Sequence, residues 1–72
     1  MAKKTRIENR IRTLRFLANE MTQQELADLV GVSRQTILAV ENGRYSPSLE
    51  LAFAIARVFG KGLEEVFYYD EE

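Results

Sequence analysis

The 72-residue sequence predicts a mainly α domain of five short helices, closed by a short β-strand pairing of the N-terminal segment with the C-terminal VFYY. Three observations lead there. Apolar residues recur at helical period through most of the chain. Gly31, Gly43 and Gly60 each fall where such a run stops. Residues 66–69, VFYY, break that period and carry the β-branched and aromatic side chains that suit a strand.

The first helix is expected over about residues 8–19, where Ile7, Ile11, Leu14, Leu17 and Ala18 form an apolar stripe. The second, about 23–30, follows Thr22 and Glu25, whose T-x-x-E spacing is that of a capping box. Leu26, Ala27 and Val30 share its inner face, with the small Ala27 where the next helix crosses closely. Gly31 follows the last turn, where a left-handed residue is needed and a Cβ is costly. Val32 fills the corner, and Ser33 caps a third helix over about 34–42, whose Ile37 and Val40 return to the same core.

Gly43 ends that helix, and RYSPS leads into a fourth over about 49–59. Its cap is Ser48 or, with Pro47 in the first turn, Ser46. This helix is apolar nearly all round, from Leu49 through Phe53 to Phe59. One face suffices for the core of a monomer, so the surplus implies a second buried face. A final helical turn at 63–65 runs into the terminal strand, which needs a partner. The segment around 5–7 is the nearest, a strand from a second subunit is the competitor, and the sequence leaves both open.

Residues 23–42, QQELADLVGVSRQTILAVEN, have the spacing of a helix-turn-helix, which lays its second helix in the DNA major groove. An ordinary helical hairpin would account for any one of these features; their agreement at fixed offsets favours the DNA-binding motif. Arg34 and Gln35 occupy the first turn of the third helix, the end that reaches base edges in this docking. Arginine suits guanine O6/N7 and glutamine suits adenine N6/N7, each as a bidentate pair. Ser33 and Thr36 are placed for phosphate or a thymine methyl. Leu38, one turn beyond Arg34, either meets thymine methyls or simply faces solvent. Gln23 opens the second helix, in position for the phosphate backbone.

TQQELADLVGVSRQTILAVENGRYSPSLELAFAIARVFG resembles the Cro/repressor-type helix-turn-helix family. Within it, VSRQTI, the E-N-G-x-Y-x-P-S-L run and the L-E-E-V-F ending are similar to the very short cytolysin-operon-repressor-like regulators. The resemblance covers roughly residues 9–69, although the connection RFLANEMT between Leu14 and Gln23 is one residue longer than usual. It implies a five-helix, lambda-repressor-like DNA-binding domain with paired termini. It also implies phosphate contacts from Asn42, Arg44 and Tyr45, and a salt bridge from Glu41 to a basic residue of the first helix, Arg15 or else Arg12. Thr22, Ala27, Gly31, Glu41 and Arg15 are thus structural residues of the motif. The segment 49–69, with Phe53, Val66, Phe67, Tyr68 and Tyr69, is the expected dimer surface; the alternative is that Phe53, Phe67 and Tyr69 merely complete a small core.

The net charge of −1 hides an asymmetry. Residues 1–16 carry Lys3, Lys4, Arg6, Arg10, Arg12 and Arg15 against Glu8 alone, whereas 61–72 carry Lys61 against Glu64, Glu65, Asp70, Glu71 and Glu72. This suggests a basic face for nucleic acid and an acidic end turned away from it, with a merely solvated tail as the alternative for Lys3 and Lys4. The absence of cysteine and histidine excludes disulfides, zinc fingers and imidazole catalysis. No run approaches a transmembrane span or a signal peptide, so a cytoplasmic protein is expected. The expected partners are a double-stranded DNA operator and a second copy of the chain, with no cofactor, no membrane and no small-molecule effector. A dimeric, sequence-specific transcriptional repressor fits best. A protein-interaction module holding a toxin or polymerase subunit is the alternative, and an enzyme has almost no support.

Overall fold

The two ends of the chain are joined before the first helix begins. In the computed structural model, which describes residues 5–70, β1 (Ile7–Asn9) runs antiparallel to β2 (Phe67–Tyr69). Ile7 lies opposite Tyr69, Glu8 opposite Tyr68 and Asn9 opposite Phe67. The ladder continues past both ends: the Asp70 amide donates to the Arg6 carbonyl at 2.7 Å, and the Arg10 amide to that of Val66 at 2.8 Å. Two strands alone are marginal in water. Here two guanidinium–aromatic contacts reinforce them, Arg6 over the Tyr69 ring at 5.3 Å and Arg10 over Tyr68 at 4.1 Å. The termini therefore pair within one subunit.

The strand lies later than the expected 5–7, and the first helix shrinks to α1 (Ile11–Leu17). Asn9 is the cause, because its Oδ1 accepts from the Ile11 amide at 3.1 Å and so starts the helix after, rather than before, the strand. The helix ends early as well. Ala18 caps it, and Asn19 (φ 61°) and Glu20 (φ 58°) take left-handed conformations that turn the chain toward the next element. Leu17 falls in the last turn and is 72% exposed, so the core stripe expected to include it stops at Leu14.

α2 (Gln23–Val30) and α3 (Arg34–Glu41) form the helix-turn-helix. The capping box is closed in both directions: the Glu25 amide donates to Thr22 Oγ1 at 3.0 Å, and the Thr22 amide to Glu25 Oε1 at 2.8 Å. Gly31 takes φ 77°, ψ 32°, and its amide donates to the Ala27 carbonyl at 2.8 Å. Ser33 Oγ then accepts from the Thr36 amide to open α3, which ends at Glu41 with Asn42 as its cap.

α4 (Leu49–Val58) is capped by Ser48 rather than Ser46, and Pro47 stays outside it. α5 (Leu63–Val66) absorbs Val66, so the strand is FYY instead of VFYY. α4 packs against α2 and α5. The core between them holds Ile11, Leu26, Ala27, Ile37, Val40, Leu51, Ala52, Ile55, Ala56, Val66 and Phe67. Val66 is fully buried and Phe67 nearly so. These two residues, assigned from sequence to a dimer surface, are thus part of the subunit's own core. Leu49 and Phe53 lie one turn apart on α4 and remain 68% and 49% exposed. The surplus apolar face of α4 reduces to that pair.

Candidate nucleic-acid interface

Arg34 and Gln35 stand exposed in the first turn of α3, held there by the Ser33 cap. Ser33 and Thr36 sit beside them, but their hydroxyl oxygens are 3.1 Å apart and bonded to each other, so both already serve the cap. Leu38 is half-buried, neither free in solvent nor in the core. It lines an open cleft of about 430 Å³ together with Asn9, Arg12, Arg15, Gln23, Glu41 and Asn42. Asn42, Arg44 and Tyr45 are exposed just past the end of α3.

The floor of that cleft is a fixed polar network. Arg15 donates from Nε to Glu41 Oε2 at 2.6 Å and from Nη2 to Oε1 at 3.2 Å, a bidentate pair. A third guanidinium nitrogen, Nη1, donates to the Met21 carbonyl at 2.8 Å. Arg15, and not Arg12, is therefore the partner of Glu41. The carboxylate lies at the end of α3 opposite Arg34 and Gln35, and its charge is balanced within the scaffold. Gln23 joins the same network, its Nε2 donating to Glu41 Oε1 at 3.3 Å. The sequence reading aims this side chain at phosphate; in the folded chain it is half-buried and lines the cleft, with one N–H on Glu41.

Among the described residues, the basic side chains of the N-terminal segment do not form one face. Arg6 and Arg10 lie over the tail tyrosines, and Arg15 is in the scaffold. Lys3 and Lys4 lie outside the described residues, as do the acidic Glu71 and Glu72. Arg12 is left, exposed on the rim of the cleft that also holds Gln23, Leu38 and Asn42. It is a cation beside α3, which the sequence reading counts within the basic N-terminal run and as the second candidate partner for Glu41. Its spacing of three from Arg15, on neighbouring positions of one helix, was the available signal.

Asn9 was missed altogether. Its Nδ2 donates to the Val40 carbonyl at 3.0 Å and approaches that of Glu41 at 3.5 Å, at the C-terminal end of α3. Placed by sequence inside a first helix, it had no visible job. Among the described residues no cluster of acidic side chains could hold a metal ion, and no helix is long and apolar enough to cross a membrane.

The helix-turn-helix family model matches residues 11–66, from the start of α1 to the end of α5. The chain belongs to the Cro/repressor-type helix-turn-helix family. Its members are DNA-binding transcriptional regulators and not enzymes. This helix-turn-helix regulator is 48% identical over 66 residues to an uncharacterized HTH-type transcriptional regulator of Methanocaldococcus jannaschii, covering 92% of this chain and 98% of that one. It is 36% identical over 58 residues to the cryptic phage CTXphi transcriptional repressor RstR of Vibrio cholerae, covering 81% of this chain and 51% of RstR. In fold it is similar to the crystal structure of a proposed DNA-binding protein from Bacteroides fragilis, with a TM-score of 0.73 at 22% identity, covering 86% of this chain and 98% of the other.

Proposed function

We propose that this regulator is a cytoplasmic, homodimeric repressor that reads an inverted-repeat operator with one α3 helix from each subunit. The observation that carries the reading is the exposed Arg34–Gln35 pair at one end of a helix whose other end is fixed by the Arg15–Glu41 bridge. A rigid support presenting bidentate side chains is what base reading in the major groove requires. Arg12, Asn42, Arg44 and Tyr45 are the candidate phosphate contacts, and Thr36 and Leu38 are the candidates for thymine methyls. Gln23 is a further candidate for phosphate, together with the backbone amides of Gln23 and Gln24 at the start of α2.

Selection of bound sequences from a random DNA pool tests this directly and should return an inverted repeat. Arg34→Ala should then relax preference at one base pair per half-site and cost roughly 1–3 kcal/mol of binding. A selected operator unchanged at every position would mean that α3 is docked differently. The observed affinity should also fall linearly with salt on logarithmic axes, with a slope reflecting several phosphates neutralised per dimer. Phe16 and Leu17 on α1 and Leu29 on α2, large apolar side chains left exposed, favour a protein-interaction module as the second reading. That reading has no steep salt dependence on DNA, so a flat response would select it.

A further inference from the structure

We propose that Asn9 is a positioning residue for α3, through which DNA reading depends on the pairing of the chain's two ends. The inference rests on the reading role proposed for α3 and adds a residue outside the helix-turn-helix. Asn9 is half-buried and belongs to β1, opposite Phe67 of β2. Its Oδ1 accepts from the Ile11 amide at the start of α1, and its Nδ2 donates to the Val40 carbonyl near the end of α3. One side chain therefore ties together the sheet, the first helix and the reading helix.

The last carbonyls of a helix have no partner within it, and whatever satisfies them also fixes where the helix end lies. The Val40 carbonyl takes the Gly43 amide at 3.1 Å from its own turn and Asn9 from outside. The Arg15–Glu41 bridge holds the same end of α3 by a side chain, while Asn9 holds it by its backbone. Two tethers at one point of attachment stop the helix from pivoting there. Arg34 and Gln35 lie at the opposite end, about 10 Å along the axis at 1.5 Å per residue. A pivot of about 6° would move them by about 1 Å, enough to spoil a bidentate contact with a base edge. Phosphate contacts, carried by long flexible side chains, are far less sensitive.

The coupling also has a direction. β1 holds its place by pairing with β2, and β2 is held by the core residue Phe67 and the Arg6 and Arg10 contacts to Tyr69 and Tyr68. Whatever loosens the tail strand loosens β1, and through Asn9 the far end of α3.

The test compares the full wild-type chain with Asn9→Ser, binding the selected operator and an unrelated duplex of equal length. Serine keeps an oxygen able to accept from the Ile11 amide but cannot reach the Val40 carbonyl. Circular dichroism establishes folding at the assay temperature. The expected result is a folded variant whose operator affinity falls about tenfold, with affinity for the unrelated duplex within about twofold of wild type. Asn9→Asp, which keeps the size and the acceptor but loses the donor, should show the same drop in the operator-to-unrelated ratio; taking the ratio cancels its uniform charge effect. A folded variant with an undiminished ratio overturns the role of Asn9 while leaving base reading by α3 intact. Unfolding of both variants assigns Asn9 to stability alone and likewise overturns the proposal. A wild type without sequence preference overturns both the reading and this extension of it.

Discussion

Glu41→Ala is expected to unfold most of the domain at room temperature. The side chains of Arg15 and Glu41 are only 14% and 7% exposed, so this is a pair withdrawn from solvent and not a surface ion pair. Removing the carboxylate leaves the Arg15 guanidinium with the Met21 carbonyl as its remaining hydrogen-bond acceptor and takes the acceptor from Gln23 Nε2. Breaking such a pair from one side costs up to about 3–5 kcal/mol, because the surviving charge is left largely shielded from water and uncompensated. A domain of this length has roughly 3–5 kcal/mol from its core to lose. Urea unfolding followed by circular dichroism should therefore show little or no folded baseline for Glu41→Ala, and the same for Arg15→Ala. The double variant Arg15→Met with Glu41→Leu should recover much of the loss, since apolar residues of similar volume often replace a buried pair at no net cost. A Glu41→Ala midpoint close to that of wild type would mean that the pair behaves as a solvated one, worth about 0–1 kcal/mol.

What the sequence made legible follows the range of the interactions concerned. The Thr22–Glu25 box, the left-handed Gly31 and the Ser33 cap each involve residues within four positions of one another; the box and the cap satisfy amides that only a few side chains can reach, and Gly31 takes a positive φ that a Cβ disfavours. They are visible as spacing. Asn9 joins residues 31 and 32 positions away, so its role exists only once β1 and α3 have met. Arg6 and Arg10 read as free cations for DNA until the tail strand brings Tyr69 and Tyr68 beneath them. Val66 illustrates the limit of local propensity. Its β-branched side chain sits in a run that suits a strand, yet burial in the core at the end of α5 decides its conformation. Gln23 shows the same limit: its place at a helix start is visible as spacing, whereas its hydrogen bond to Glu41 exists only once α2 and α3 have packed.

Phe53→Asp is expected to give a folded monomer that has lost its operator, and Phe67→Asp an unfolded chain. The difference comes from burial within the subunit. Phe67 is 8% exposed and packs in the core, so a carboxylate there meets the full penalty of burying an unpaired charge. Phe53 is 49% exposed, and an aspartate in its place can be solvated as long as the subunit stands alone. In a dimer joined through α4, the same aspartate would face its own symmetry mate in an apolar contact formed with Leu49, where both charges lose water. Monomerisation then removes the second recognition helix, which in the proposed dimer would lie about 34 Å away, one turn of B-DNA. Without it the second half-site no longer binds as an intramolecular event, so operator affinity should fall by about 10²-fold or more. Sedimentation of wild type and Phe53→Asp at micromolar concentration, with operator binding measured on both, checks each step. If Phe53→Asp remains a dimer, the interface lies elsewhere, and Tyr68 and Tyr69, exposed on β2, become the next positions to alter. A wild type that is monomeric at that concentration and binds one subunit per site would instead remove the twofold axis on which the inverted-repeat reading depends.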